Sequence, residues 1–409
     1  MQNLSYISVL QIFTLLAPFI TYPYLVNVLG KELYGFVITA QVLASYCSLI
    51  IDFGSNSVCA KHVSINRSNK DKLSEIVSSV LYIRSGLWVI CLFFYIGLIY
   101  LIPSYRPHFF LFLFSYGMTM NEVLFPQYFF QGIERMKYST LINILIKIIF
   151  IALVFIVVKS ESDYLYVPLL YAIGYVIGGI VALTMIFGRM QIKFVRPTIQ
   201  TMKYYIKDCS AILATDLICT IKDKLNYLLL GAFAGMGNVV IYDLGSKINA
   251  LLYKPTEIIR TVLLPHFAKN RNISQFKKCI LITASVSVIF VGLVNLFLPQ
   301  IVEFFIKEKI ILWPIRVFTL APIILSISVP IATNAFIAWG YNKDILYSII
   351  ITTIFYALTF IILYYMDFLN HVSSFILIAI ISYVAELLYR LYAFRRVVKD
   401  IQCKPQCND

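Results

Sequence analysis

Apolar stretches of about 20 residues recur from one end of this 409-residue chain to the other. Each is long enough to cross a hydrocarbon layer about 30 Å thick as an α-helix. Such a pattern predicts a bundle of membrane-spanning helices, because a backbone in lipid must satisfy its own hydrogen bonds. The predicted spans lie near residues 7–29, 34–58, 76–101, 109–131, 139–158, 164–187, 209–232, 239–264, 279–299, 314–338, 344–365 and 371–393.

Composition supports a membrane protein over a soluble one. Hydrophobic residues make up 60% of the chain and charged residues 13%, with a mean hydropathy of +0.83, whereas about a quarter of the residues of a soluble domain are charged. We therefore expect an all-α polytopic membrane protein of about 12 transmembrane helices, arranged as six plus six. The predicted domains are an N-terminal six-helix bundle (1–187), a basic cytoplasmic linker (188–208), a C-terminal six-helix bundle (209–396) and a cytoplasmic tail (397–409).

The placement of lysine and arginine predicts the orientation, since short loops rich in these residues stay in the cytoplasm. With the N-terminus inside, the inner loops and tail hold 21 of them and the outer loops five. Both termini are therefore expected to be cytoplasmic. The net charge of +14 is spread over every second loop, which is typical of topology and argues against nucleic-acid binding.

The predicted seventh span contains charges near its middle. In "TIKDKLNYLLLG" (Thr220–Gly231), Lys222, Asp223 and Lys224 are consecutive, and Lys222 lies roughly 20 Å along the helix from Cys209. A charge that faces lipid at this depth costs about 2.5 to 3.5 kcal/mol. These side chains should therefore face the protein interior or an aqueous cavity.

Other spans carry comparable charges. On the eighth helix Asp243, Lys247 and Lys254 share one face. A cavity lined by ammonium and guanidinium groups would bind an anion, above all a phosphate. The candidate substrate-binding cations are Arg84, Lys147, Lys222, Lys224, Lys247 and Lys254, and the candidate ion-coupling carboxylates are Glu122, Asp216, Asp223 and Asp243. Alternatively, pairs such as Arg84 with Glu122, or Lys247 with Asp243, only hold the bundle together.

The sequence disfavours an enzyme. No predicted outer loop exceeds about a dozen residues, so there is no room for an extracytoplasmic catalytic domain of the kind that glycan polymerases need. Neither a glycine-rich phosphate loop nor a metal-spaced cluster of histidine and cysteine is found. We therefore expect movement of a substrate, with neither cofactor nor metal.

Three segments resemble a known family. "YPYLVNVLGKELYGFVITAQVLASYCSLIIDFGSNSVCAKHVS" (Tyr22–Ser64) resembles the N-terminal signature of Wzx-type O-antigen flippases, members of the multidrug/oligosaccharidyl-lipid/polysaccharide exporter superfamily. "FPQYFFQGIERMKY" (Phe125–Tyr138), and "DKLNYLLLG" (Asp223–Gly231) followed by "YDLGSKI" (Tyr242–Ile248), are similar to later family segments. One departure is Asn27, where the family usually has arginine.

The resemblance implies a flippase of the bacterial inner membrane. It would move undecaprenyl-pyrophosphate-linked oligosaccharide repeat units (O-antigen units) from the cytoplasmic to the periplasmic leaflet by alternating access, with the two bundles around a central cavity. Coupling to H⁺ or Na⁺ is expected on this basis, as are contact with membrane lipids and association with a polysaccharide polymerase and a chain-length regulator. The candidate cations would neutralise the pyrophosphate.

Three alternatives remain open at the level of sequence. A multidrug or cation antiporter of the same superfamily predicts a net acidic cavity. A flippase for lipid-linked peptidoglycan precursors predicts a cationic cavity but usually has two further helices. A membrane glycan polymerase is the alternative from a different functional class.

Overall fold

The computed structural model describes the backbone of residues 2–269 and 271–403. It describes the side chains of residues 17–400, apart from positions 219, 222, 223, 265, 266, 268, 270 and 342. All regular secondary structure in these described residues is helical, which confirms the predicted all-α class. The chain divides into two compact units, Met1–Leu228 and Leu229–Asp409. The domain boundaries drawn from the sequence stay a prediction.

The first unit begins with the longest helix and ends within α9. Short 3₁₀ segments (Pro103–His108 and Glu161–Leu165) and a π-helical turn (Met185–Arg189) connect some of its helices. Its helices are α1 (Gln2–Asp52), α2 (Ser55–Ile65), α3 (Lys70–Leu101), α4 (Phe109–Gly117), α5 (Met120–Leu124), α6 (Gln127–Gly132), α7 (Met136–Val157), α8 (Tyr166–Thr184) and most of α9 (Ile199–Ala234).

The second unit contains the end of α9 and all later helices. A π-helical segment, Ile331–Ile337, directly follows Pro330. Its other helices are α10 (Met236–Lys269), α11 (Ile273–Leu296), α12 (Leu298–Phe305), α13 (Trp313–Phe318), α14 (Ala321–Pro330), α15 (Asn342–Tyr365) and α16 (Val372–Cys403).

Nine helical stretches of the described chain are long and apolar enough to span a membrane, the first of them Ala17–Ile65. The long helices α9 and α10, which carry several of the predicted intramembrane charges, are not among these nine. The protein is therefore a multi-pass membrane protein. The number of twelve spans and their grouping into two six-helix bundles stay predictions.

Two glycines with positive φ separate consecutive predicted spans. Gly30 interrupts α1 with a φ of 73°, and Gly235 separates α9 from α10 with a φ of 90°. Both backbones are in a region that favours glycine, because a Cβ would be strained there. The rings of Tyr22 and Tyr34 meet edge to face with centroids 5.2 Å apart, a contact that an uninterrupted helix could not make. The first pair of predicted spans is thus a helical hairpin.

The start of α9 differs from the predicted span. The helix begins at Ile199, whereas the seventh span was predicted from about residue 209, so the end of the predicted linker is helical. Pro197 precedes the helix, and the Thr198 hydroxyl accepts a hydrogen bond from the Thr201 backbone N–H at 3.2 Å. This is the geometry of a helix N-cap.

Candidate functional site

A polar cavity of about 460 Å³ lies inside the first unit. This volume is within the range of roughly 300–1,000 Å³ that is typical of ligand sites. Segments of α1, α2, α5, α8 and α9 contribute to its wall. The lining residues are Gln41, Ser45, Ser48, Leu49, Asp52, Asn56, Met118, Asn121, Glu122, Tyr175, Thr220 and Lys224.

Lys224 brings a positive charge to this cavity. Its Nζ donates a hydrogen bond to the Ser45 hydroxyl at 2.7 Å, and Ser45 in turn donates to the Val42 carbonyl at 2.6 Å. The sequence predicted that this lysine faces the protein interior or a cavity, and it lines one. The ammonium is thus oriented toward α1 from α9 by a hydroxyl group.

Uncharged polar groups line much of the rest of the wall. The side-chain amide oxygens of Asn56 and Asn121 are buried and have no hydrogen-bond partner in the described part of the chain. Tyr175 and Thr220 add hydroxyl groups. A buried polar atom without a partner costs about 1–3 kcal/mol. The cavity is therefore suited to a ligand with many hydroxyl groups.

Arg84 is held behind this wall by acceptors for each of its three side-chain nitrogens. The side chain is 1% exposed and forms an ion pair with Asp52. Its Nε and Nη2 donate to the Ser55 hydroxyl at 3.0 and 2.8 Å, and Nη1 donates to the backbone carbonyl of Glu122 at 2.6 Å. The guanidinium also lies 5.3 Å from the centre of the Tyr128 ring. The sequence offered the Glu122 carboxylate as an alternative partner, and the observed carboxylate is that of Asp52.

Two carboxylates line the cavity, and they differ in their surroundings. Asp52 accepts hydrogen bonds from Arg84 and, at 3.2 Å, from Ser55. The Glu122 carboxylate accepts a long hydrogen bond from the Asn121 side chain at 3.4 Å. Within the described residues, no group of three histidine, cysteine or acidic side chains is placed to hold a metal ion.

The predicted site residues of the second unit form ion pairs along α10. Lys247 pairs with Asp243 one turn earlier, and the Lys254 ammonium lies 2.9 Å from the Glu257 carboxylate. The i,i+4 and i,i+3 spacings bring each pair onto one face of the helix. The sequence had offered the first pair as an alternative to substrate binding.

The remaining predicted site residues lie away from the cavity wall or outside the described side chains. Lys147 on α7 is half-buried and forms no hydrogen bond or ion pair with the described residues, while Asp216 on α9 is also half-buried. The side chains of Lys222 and Asp223 are outside the described residues. Of the predicted set, Lys224 and Glu122 therefore line the same cavity.

Sequence reasoning missed several residues of the cavity. Asp52 lies within the Tyr22–Ser64 segment but was not a candidate site residue, although a carboxylate within a long apolar helix is itself a signal of a functional or structural partner. Ser45, Asn56 and Tyr175 gave no comparable signal, because single small polar residues and tyrosines are common in membrane helices.

Comparisons with known proteins agree with this architecture. A curated relative from Escherichia coli (strain K12), whose name proposes O-antigen transport as its role, is 25% identical over 286 residues, which are 70% of this chain and 69% of the relative. A solved structure of an inward-facing multidrug resistance MATE family transporter of the MOP superfamily has 14% identity and a TM-score of 0.73, and the match covers 96% of each chain.

A second solved structure, the lipid II flippase MurJ in an inward closed conformation, has 15% identity and a TM-score of 0.74 over 95% of this chain and 87% of the other. These likenesses show that the chain has the fold of MOP superfamily transporters. The sequence model of the family described as "polysaccharide biosynthesis protein" matches residues 1–271. This match covers well over half of the 409 residues, and the chain therefore belongs to the polysaccharide biosynthesis protein family.

Proposed function

We propose that this protein is a flippase for undecaprenyl-pyrophosphate-linked oligosaccharide repeat units. It acts in the bacterial inner membrane with both termini in the cytoplasm, and moves the sugar head group to the periplasmic leaflet by alternating access. Family membership, the relative named for O-antigen transport and the fold shared with a lipid II flippase all support this proposal. The proteins that it resembles are transporters and flippases, which disfavours a glycan polymerase.

The observation that carries the proposal is the polar cavity of the first unit with Lys224 in its wall. An oligosaccharide needs many hydrogen-bonding partners, and the hydroxyl and amide groups around the cavity supply them. A pyrophosphate needs a cation, and the Lys224 ammonium is a compact positive charge that forms strong hydrogen bonds with phosphate oxygens. Both halves of the polar head group thus find complementary chemistry here.

The structure favours a different role for Arg84 from the one expected. Its donors are occupied by Asp52, Ser55 and the Glu122 carbonyl, so direct contact with a pyrophosphate would require these bonds to break. We therefore propose that Arg84 maintains the shape of the cavity wall and does not bind the pyrophosphate. Glu122, whose carboxylate faces the cavity with one long hydrogen bond, is the proposed ion-coupling residue for H⁺ or Na⁺.

A multidrug or cation antiporter is the second candidate. Asp52 and Glu122 in the cavity wall favour it, because a cationic substrate requires carboxylates. The Asp52 charge is already matched by Arg84, and Lys224 opposes a second cation. A flippase for an anionic lipid-linked substrate therefore explains more of the residues that line the cavity than an antiporter does.

Complementation tests the proposal. A strain that lacks its own repeat-unit flippase is given wild type, Lys224→Ala, Lys224→Arg or Lys254→Ala at matched membrane levels, and surface polysaccharide is measured. Loss of one charge-assisted hydrogen bond, about 1.5–3 kcal/mol, predicts at least about a tenfold reduction for Lys224→Ala. Lys224→Arg should retain much of the activity, and Lys254→Ala, whose ammonium pairs with Glu257, should stay within about twofold of wild type.

Other outcomes would contradict the proposal in different ways. If Lys224→Ala and Lys254→Ala reduce surface polysaccharide equally, the lysine in the cavity is no more important for transport than a lysine outside it. If wild type fails with the cognate repeat unit supplied, the flippase function is wrong. Protection of an exporter-deficient strain against lipophilic cations would then identify an antiporter.

A further inference from the structure

A second cavity, of about 490 Å³, opens within the second unit between the first turns of α11 and the last turns of α16. The end of α14 and the π-helical segment after it form its floor. Most of its wall is aliphatic or aromatic, including Ile280, Ile331 and Phe394. Ile331 and Phe394 also belong to the buried core of this unit, so the cavity has a packed apolar base. We refer to it as the α11–α16 groove.

Three cations line the same groove. Lys277 comes from α11, and Arg395 and Lys399 come from α16. All three are exposed, and none forms a hydrogen bond or an ion pair with a described residue. The adjacent Arg396, in contrast, pairs with the buried carboxylate of Asp344. Carboxylates are therefore within reach of α16, yet these three positive charges have no acidic partner among the described residues.

The preference for basic residues in cytoplasmic loops does not explain this arrangement. That preference requires cations near the ends of spans but sets no relation between one loop and another. Here the cations of two helices that are far apart in sequence converge on one apolar groove. Basic pockets between membrane helices at the cytoplasmic side are typical sites for anionic lipid head groups.

We infer that the α11–α16 groove binds one anionic phospholipid. Lys277, Arg395 and Lys399 hold the phosphate of its head group, and an acyl chain packs against Ile280, Ile331 and Phe394. The occupant must have both a negative charge and a hydrocarbon chain, because the groove offers both kinds of surface. A zwitterionic phospholipid has the chains but no net charge, and should bind less well.

The test uses the purified full-length protein in detergent, with phosphatidylglycerol as the probe and phosphatidylcholine as the neutral comparison. Native mass spectrometry at increasing lipid concentration gives the affinity of the first bound lipid. We expect phosphatidylglycerol to bind at least tenfold more tightly than phosphatidylcholine. The triple variant Lys277→Gln, Arg395→Gln, Lys399→Gln should lose at least tenfold of this affinity.

The matched control is Lys269→Gln, Arg271→Gln, Lys278→Gln, which removes the same charge near α11 without touching the groove. It should retain affinity within about twofold of wild type. An equal loss in the control would mean that anionic lipid is attracted by overall charge, and would overturn the site.

A third variant tests the apolar half of the groove. Ile280→Trp fills the cavity and keeps the three cations, so it should weaken binding of the lipid while leaving the thermal unfolding temperature of the lipid-free protein nearly unchanged. Normal binding by Ile280→Trp would overturn the inference, because the head group alone would then account for the affinity. The unfolding temperature also identifies any variant that fails to fold.

Discussion

Arg84 of the first unit and the lysines of α10 in the second unit are neutralised by different means. In the first unit Arg84 is bound by groups from three other helices: Asp52 of α1, Ser55 of α2 and the Glu122 carbonyl of α5. In the second unit the lysines of α10 pair with carboxylates on α10 itself, one turn away. The first arrangement connects helices, and the second neutralises charge within a single helix.

The comparison between Arg84 and the α10 lysines helps to distinguish charges with a structural role from charges that are available to a ligand. A guanidinium whose three nitrogens all donate to distant parts of the fold is structural, because a ligand must first break those contacts. A pair within one helix adds little to tertiary stability, because it joins no second helix. Lys224 differs from both in one observed contact: its hydroxyl partner, Ser45, comes from another helix and lines the same cavity.

The largest expected effect follows from removing the interhelical cation. Arg84→Met leaves the half-buried Asp52 carboxylate and the Glu122 carbonyl without their donor. Removing one member of a fully buried pair costs about 3–5 kcal/mol, which is the upper bound here. We expect a large decrease in the thermal unfolding temperature of the protein purified in detergent, and less protein in the membrane.

Arg135→Met is a suitable control for Arg84→Met, because Arg135 is exposed and its side chain forms no hydrogen bond or ion pair with the described residues. It should change stability by no more than about 0.5 kcal/mol. Equal stability of the two variants would mean that the Arg84 network does not hold the helices together.

An intermediate effect is expected where α2 and α6 of the first unit are in close contact. A Cβ on Gly132 would lie 2.5 Å from Val63 Cγ1 and 2.7 Å from the Ala60 carbonyl, so α2 and α6 would have to separate. Gly132→Ala should destabilise by about 1–3 kcal/mol. In the second unit, Gly245→Ala meets one ring atom of Phe318 at 2.8 Å, and should cost less.

Gly97→Ala completes this series, because no atom lies within 4 Å of its new Cβ. It should be neutral or slightly stabilising, as expected for replacing glycine within a helix. Urea or thermal unfolding of the three variants gives the order directly. If Gly245→Ala is less stable than Gly132→Ala, an added methyl group at Gly245 is tolerated less well than one at Gly132, which contradicts the expected order.

The smallest effect concerns the pair within α10. A double-mutant cycle with Asp243→Asn and Lys247→Gln should give a coupling energy of about 0.5–1 kcal/mol. The corresponding cycle with Asp52→Asn and Arg84→Gln should exceed it severalfold, since that pair is buried and joins separate helices. Similar coupling energies from the two cycles would show that an ion pair within one helix is as strong as one that joins two helices.

The helical framework was largely predictable because it follows from local properties. Apolar length indicated the membrane helices, and the tight turn at Gly30 follows from a residue that tolerates positive φ. The early start of α9 was missed, although Pro197 and Thr198 form a local signal that could have indicated it. Hydropathy alone cannot detect a helix N-cap, because it does not take account of hydrogen bonds between side chains and the backbone.

The candidate site was predictable only where it depends on one helix. The Lys247–Asp243 pair follows from i,i+4 spacing, and a mid-helix Lys224 had to face a polar interior. The carboxylate partner of Arg84 was not predictable in this way, because the choice between Asp52 and Glu122 depends on how α1, α3 and α5 pack. That packing arises only in the folded unit, and it cannot be deduced from the spacing of residues along the chain.

The turn at Gly30 has a consequence for biosynthesis. The two arms of α1 are joined without a loop, so there is no tether long enough for one arm to enter the bilayer while the other waits outside. The nascent chain must therefore release both arms to lipid as a single insertion step. Lengthening this turn with a flexible insert would separate the two events, and the second arm would then have to find its orientation from its own flanking charges.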